Sequence, residues 1–171
     1  MLKNIANFNN TNDYLPLFNA VLITDLFVIL LLNTRVITSQ TLKKWYSQYN
    51  LSAVIADVLI ILIVLILTRA IYYHIFNDFS LLKFIILAVI IQIAHDILFY
   101  VFFSYVPRGV NKMLDTFKDY ASEMSYKAIF ADSGMMIMSC LIGSYLANAT
   151  TNTNIIVLIS SAYLLPYLLY N

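Results

Sequence analysis

Charged residues are scarce in this chain. Only 11% of its 171 residues are Asp, Glu, Lys or Arg, whereas 61% are hydrophobic. A soluble domain has about a quarter of its residues charged, so this chain has too few charged side chains to cover its apolar surface. No Lys/Arg patch is dense enough to neutralise many phosphates, and the net charge is only +1. The composition therefore indicates a protein that contacts the lipid bilayer and argues against nucleic-acid binding.

Cysteine, glycine and proline are also rare. The single cysteine, Cys140, lies inside an apolar segment, so no disulfide can form within the chain. No CxxC pair or Cys/His cluster is present, and the sequence therefore predicts neither a metal site nor a redox cofactor. Glycine and proline number three each, whereas residue types with AT-rich codons are plentiful. This usage favours a low-GC genome as the source.

Long apolar runs occupy most of the chain. A helix needs about 20 apolar residues to cross a hydrocarbon core of about 30 Å, and backbone amides in lipid must bond within their own segment. We therefore predict an all-α, polytopic transmembrane helix bundle that forms a single domain over residues 1–171. The predicted spans are 15–32, 51–71, 81–105, 128–146 and 155–170. Because the last run is short, the alternative is four spans plus a C-terminal helix at the membrane interface.

A charged segment follows the third apolar run. It begins at the corner Pro107-Arg108-Gly109, where Pro107 ends the helix and Gly109 permits a turn. Apolar residues then recur at helical spacing: Val110, Met113, Leu114, Phe117, Ala121 and Met124. Since the charges between them have both signs, we predict an amphipathic helix at about 109–126 that docks on protein rather than on anionic lipid.

Basic residues are unevenly distributed between the loops. Seven lie in the loops 33–50 and 106–127, against three on the opposite side, so we expect these two loops in the cytoplasm and the N-terminus outside or in the lumen. The seven are Arg35, Lys43, Lys44, Arg108, Lys112, Lys118 and Lys127. All of them except Arg35 form an expected interaction surface. On the opposite side, Arg69 is expected to snorkel outward rather than to pair inside the bundle.

Each of the first four predicted spans contains an aspartate. These are Asp25, Asp57, Asp96 and Asp132, and His95 precedes Asp96. A charge near the bilayer centre costs at least about 2.5 kcal/mol, so each carboxylate is expected to be paired, protonated or near water. One shared polar cluster is geometrically possible. It is either a buried network that fixes helix packing or a pathway for protons or cations, in which His95 changes charge near neutral pH.

The fourth predicted span carries small residues at steps of four. Ser139, Gly143 and Ala147 would form a face that lets another helix approach closely. The same span contains Ser133 and Cys140, but the chain has no nucleophile elbow and only two histidines. We therefore expect no catalytic residue and a protein that is not an enzyme.

Several stretches between residues 42 and 134 resemble a known family. They are LSAVIADVLI at 51–60, HDILFY at 95–100, VPRGVN at 106–111 and FKDYASE at 117–123. They resemble small multi-pass membrane proteins of nucleocytoplasmic large DNA viruses of algae and protists. The resemblance implies a viral membrane protein in the bilayer beneath an icosahedral capsid. Together with the charged helix and the small-residue face of the fourth span, it gives the leading hypothesis: a structural protein with capsid proteins, other membrane proteins or its own copies as partners. The alternative from the intramembrane residues is a small proton or cation conductor.

Overall fold

The computed structural model describes residues 2–170, which contain helices and no strand. A 3-10 turn at Thr11–Asp13 precedes seven α-helices. They are α1 (Tyr14–Asn33), α2 (Gln40–Tyr49), α3 (Leu51–Ile75), α4 (Leu81–Tyr105), α5 (Lys112–Met124), α6 (Tyr126–Leu146) and α7 (Thr151–Leu169). Five of these, α1, α3, α4, α6 and α7, are long and apolar enough to cross a membrane. The predicted all-α fold is confirmed.

Four of the long helices form a closed ring. Helix α1 packs against α3 and α6, and α4 packs against the same two helices from the other side. Helix α7 packs outside the ring on α1. Two hydrogen bonds join the helices near both ends of α1. Asn19 donates to the Asn154 carbonyl at 2.8 Å, and Asn33 donates to the Leu168 carbonyl at 2.8 Å. Helix α7 therefore runs beside α1 like a fifth span rather than across its end.

The close-packing face predicted on the fourth span is confirmed, and its partner is α1. A Cβ atom added at Gly143 would lie 2.8 Å from Leu17 Cδ2 and 3.5 Å from Ala20 Cβ. One turn away along α6, the Ser139 hydroxyl donates to the Thr24 hydroxyl at 3.2 Å. The small side chains let the two backbones approach closely, and the hydroxyl pair satisfies polar groups that have no water nearby.

The segment before α1 closes one end of the bundle. Ile5 and Ala6 are completely buried. The Lys3 backbone amide donates to the Ser144 carbonyl at 3.2 Å, and the Ser144 hydroxyl donates to the Lys3 carbonyl at 2.6 Å. We call this end, where the segment folds back between α1, α3 and α6, the N-terminal end.

Arg69 lies near the same end, and the prediction that it snorkels outward is wrong. Its side chain is completely buried and lies 3.6 Å from the Asp13 carboxylate. The guanidinium also donates to the carbonyls of Asn7 and Asn10 and stacks on the ring of Tyr14, 4.5 Å from its centroid. The folded-back segment supplies these acceptors inside the protein, so the cation does not need to reach the membrane surface.

Helices α2 and α5 lie together at the opposite end of the bundle. Helix α5 matches the predicted amphipathic helix and is capped by Asn111, whose side chain accepts from the amides of Met113 and Leu114. It packs on α2 and α4, so the protein surface on which it docks belongs to its own chain. The sequence did not predict α2, although Ser39 is an N-cap and accepts from the Leu42 amide at 3.1 Å. We call this the α2–α5 end.

Candidate functional site

A cavity of about 870 Å³ lies between α1, α3, α4 and α6, beneath the cover formed by α2 and α5. Apolar side chains make up most of its wall. Four of the five residues predicted as an intramembrane network line it: Asp57, His95, Asp96 and Asp132. The structure therefore brings carboxylates from three different helices to one cavity, as the sequence allowed but did not require.

The fifth residue, Asp25, lies behind the cavity wall and is joined to it through α2. The Tyr46 hydroxyl donates to Asp25 Oδ1 at 2.7 Å, and the neighbouring Trp45 indole donates to Asp57 Oδ2 at 2.9 Å. Burial, followed by the negative charges of Asp57 and Asp25, raises the pKa of Tyr46 well above its ordinary value, so the hydroxyl keeps its proton. Two neighbouring side chains of α2 thus donate hydrogen bonds to aspartates of two different long helices, α1 and α3.

Trp45 and Tyr46 are site residues that the sequence reasoning missed. They precede an apolar run, and aromatic rings in such places commonly settle at the membrane interface, so the sequence indicates only an interfacial role for them. The structure buries both side chains, and a buried indole or phenol needs a hydrogen-bond partner. The signal in the sequence was that both side chains carry a donor and lie between two apolar runs that each contain an aspartate.

Asp96 is the centre of a polar group on α4. Gln92, one turn earlier, donates from Nε2 to Asp96 Oδ1 at 2.7 Å, and His95 Nδ1 lies 3.2 Å from the same oxygen. The other oxygens of this pair, Asp96 Oδ2 and Gln92 Oε1, are buried and have no hydrogen-bond partner among the described residues. Gln92 is only 2% exposed and lines the cavity. The site therefore holds two acceptor oxygens that no protein donor satisfies.

No Lys or Arg side chain of residues 2–170 compensates the carboxylates of the cavity. The ion pairs that Lys and Arg form within residues 2–170 are made with Asp13 and Asp119, and none involves a span aspartate. No Lys or Arg in this part of the chain lines the cavity, and Asp132 has no hydrogen bond to another described residue. In the same range, no three His, Cys, Asp or Glu side chains are placed to hold a metal ion together.

Aromatic rings close the cavity beneath α5. The ring of Phe117 lies 4.8 Å from that of Trp45 and 5.1 Å from that of Phe99, measured between centroids. Tyr120, one turn further along α5, also faces the cavity. Its pKa is raised well above the ordinary value, first by burial and then by four nearby acids: Asp132, Asp57, Glu123 and Asp96. The cover therefore places a phenol and aromatic faces over the carboxylates.

Hydrogen bonds at both ends hold this cover together. Glu123 of α5 accepts from the backbone amides of Gln40 and Thr41 at 2.9 and 2.8 Å, and also from the Thr41 hydroxyl. The Thr41 hydrogen bond contributes most to lowering the pKa of Glu123, so the carboxylate is ionised at neutral pH. At the other end, the Tyr49 hydroxyl donates to the Lys112 carbonyl at 2.7 Å.

The six residues of the expected interaction surface have two different environments. Arg108 pairs with Asp119 at 2.9 Å, Lys44 lies 3.8 Å from the same carboxylate, and Lys118 donates to the Val106 carbonyl. These three hold α5 in place. The other three, Lys43, Lys112 and Lys127, are exposed and form no ion pair with a described residue.

Comparison of the chain with models of protein families, with curated proteins and with solved structures found no match. The function is therefore inferred from the geometry of the cavity. Its distinguishing property is an excess of carboxylates within an apolar wall. A buried negative charge is unfavourable unless a proton or another cation accompanies it, so the cavity is expected to hold one or the other.

Proposed function

We propose that this multi-pass protein binds protons or small cations in the cavity and conducts them, and that it is not an enzyme. The observation that carries the proposal is the convergence of Asp57, Asp96 and Asp132 on one cavity in which no Lys or Arg of residues 2–170 takes part. Intramembrane acids that face a cavity rather than a basic partner are typical of ion and proton pathways. His95, beside Asp96, adds an imidazole, which can both accept and donate a proton.

The closed N-terminal end supports entry from the α2–α5 end. Arg69 and the buried residues Ile5 and Ala6 occupy the N-terminal end, and a buried guanidinium repels cations. We place the α2–α5 end in the cytoplasm and the N-terminus outside or in the lumen, because the loops 33–50 and 106–127 carry seven of the ten basic residues. Conduction then requires the cover of α2 and α5 to move aside for entry and the N-terminal end to open transiently for exit. The pairing of Arg69 with Asp13 opposes the second opening.

Replacement of Asp96 or Asp132 by Asn tests conduction directly. In liposomes that contain the purified protein and a trapped pH-sensitive dye, each substitution is expected to slow dissipation of a pH gradient by about tenfold or more, because the amide cannot take up a proton. Repeating the assay with sodium and potassium gradients identifies the ion. Asp78→Asn is the matched control, since Asp78 is exposed in the loop before α4 and should conduct like the wild type.

Two results would contradict this proposal. One is a wild-type flux no greater than that of protein-free liposomes, and the other is a flux that both Asn variants retain in full. If the Asn variants insert poorly or elute as aggregates, the carboxylates act in packing. Elution from size exclusion in detergent distinguishes this structural role from a loss of conduction in a folded protein.

A structural role in the internal membrane of a large DNA virus is the second candidate. The stretches that resemble viral membrane proteins support it, and the exposed Lys43, Lys112 and Lys127 at the α2–α5 end are available to contact capsid or neighbouring membrane proteins. Under this hypothesis we expect the protein in purified virions at a level comparable to other membrane components, as measured by quantitative proteomics. Its presence in infected-cell membranes but not in particles would remove this candidate.

A further inference from the structure

We infer that the cavity binds an amphipathic organic ammonium ion, with the head group at Asp96 and Gln92 and the hydrocarbon chain along the apolar wall. The inference names the ligand class of the same cavity and rests on its proposed function as a cation site. Three properties of the cavity lead to it: its unpaired acceptors, its aromatic cover, and its size and lateral exposure.

The unpaired acceptors select a ligand with hydrogen-bond donors. Asp96 Oδ2 and Gln92 Oε1 are both buried without a partner among the described residues, and buried acceptors are unfavourable unless a donor reaches them. A primary ammonium group offers three N–H donors and a positive charge, with no acceptor. It therefore satisfies both oxygens and neutralises the carboxylate at the same time, which neither an alcohol nor an anion does.

The aromatic cover suits the same head group. The rings of Trp45 and Phe99 each lie about 5 Å from the ring of Phe117, in tilted and edge-to-face contacts. All three rings line the same cavity as the carboxylates, and a cation near the face of such a ring is attracted by its quadrupole. Carboxylates and aromatic rings therefore line the cavity without any Lys or Arg of residues 2–170. A phosphate or sulfate head group would meet these carboxylates with no Lys or Arg to pair with.

The size and walls of the cavity favour an organic cation over a bare ion. At about 870 Å³ the cavity lies in the range of about 300–1,000 Å³ that is usual for small organic ligands. Its mostly apolar wall has few oxygen ligands to replace the hydration shell of a metal ion, whereas it can cover an alkyl chain. Some wall residues, Ile97 and Tyr100 of α4 among them, are more than half exposed on the outside of the bundle. We therefore expect the alkyl chain to enter sideways from the membrane.

Trp45 provides a direct measurement, because it is the single tryptophan of the chain and lines the cavity. Octylammonium is added to the protein in nanodiscs of zwitterionic phospholipid while the indole emission is recorded. We expect a saturable change and an apparent affinity about tenfold or more higher than that of octanol, which has the same alkyl chain without the charge. Octyl sulfate should produce no saturable change in the emission.

Two variants assign the effect to the head-group site. Asp96→Asn and Gln92→Leu should each weaken octylammonium binding by about tenfold, since each removes one of the two free acceptors, whereas Asp78→Asn should bind like the wild type. Gln92→Leu keeps the approximate volume without a polar group, so it remains informative if Asp96→Asn does not fold. Octanol or octyl sulfate binding as tightly as octylammonium would overturn the inference.

The binding and flux experiments fail independently. If proton flux depends on Asp96 and Asp132 but octylammonium does not bind, the proposed conduction is retained and the ligand class is overturned. Saturable octylammonium binding without any proton or cation flux supports the ligand class and removes conduction, leaving a membrane receptor for ammonium amphiphiles.

Discussion

Replacing Asp13 with Asn is expected to lower the free energy of unfolding by about 3–5 kcal/mol, the usual cost of leaving one member of a buried ion pair unpaired. The side chains of Asp13 and Arg69 are both completely inaccessible to solvent and lie 3.6 Å apart. Lys3 and Asn10 also bond to this carboxylate, at 2.7 and 2.8 Å, so the substitution weakens several contacts of the N-terminal end at once. Unfolding in mixed micelles of rising denaturing-detergent content measures the loss.

A double variant separates the ion pair from the other contacts of Asp13. Arg69→Met removes the buried cation, and in combination with Asp13→Asn it should recover a large part of the lost stability, because no unpaired charge then remains. Asp78→Asn is the surface control and should change stability by less than about 0.5 kcal/mol. An Asp13→Asn variant as stable as this control would show that the pair does not hold the N-terminal end closed.

Replacing Gly143 with Val is expected to be the second large effect, with a loss of about 1–3 kcal/mol from overpacking between α1 and α6. A Cβ at this position already lies 2.8 Å from Leu17 Cδ2, closer than unstrained carbon atoms approach. The two γ-methyl groups of valine add further volume where α6 faces α1. The same detergent unfolding experiment measures the loss.

Gly134→Val is the matched control on the same helix. A Cβ added at Gly134 has no heavy atom within 4 Å. Both variants make the same glycine-to-valine change within α6, so their helix propensities change equally. The difference between the two therefore isolates the packing against α1. Equal stability of the two variants would contradict the close approach of α1 and α6.

The five long apolar helices were predictable from the sequence because a run of apolar residues is a local property of the chain. The third predicted span, 81–105, agrees with α4 at both ends. The last helix begins four residues earlier than predicted, at Thr151 instead of 155, because Thr150 caps it and the polar Asn154 is bonded to α1. Polar residues at a helix end look like a loop until the partner that satisfies them is known.

Helix α2 was missed because its stability depends on distant residues. It is short and polar for most of its length, and short isolated helices are marginal in water. The contacts of Trp45 and Tyr46 with Asp57 and Asp25 anchor it to the bundle, and Glu123 of α5 accepts from the amides at its start. None of these partners lies within one turn along the chain, so periodicity gave no sign of them.

Apolar runs and residue identities are properties of the chain alone, so the helical fold, the small-residue face of α6 and the aspartate in each of the first four spans follow from the sequence. The sequence does not show that Asp57, Asp96 and Asp132 share a cavity with His95, that Asp25 lies behind Tyr46, or that Arg69 turns inward to Asp13. Distances between side chains on different helices depend on how the helices rotate and pack against one another. Hydropathy does not specify that rotation.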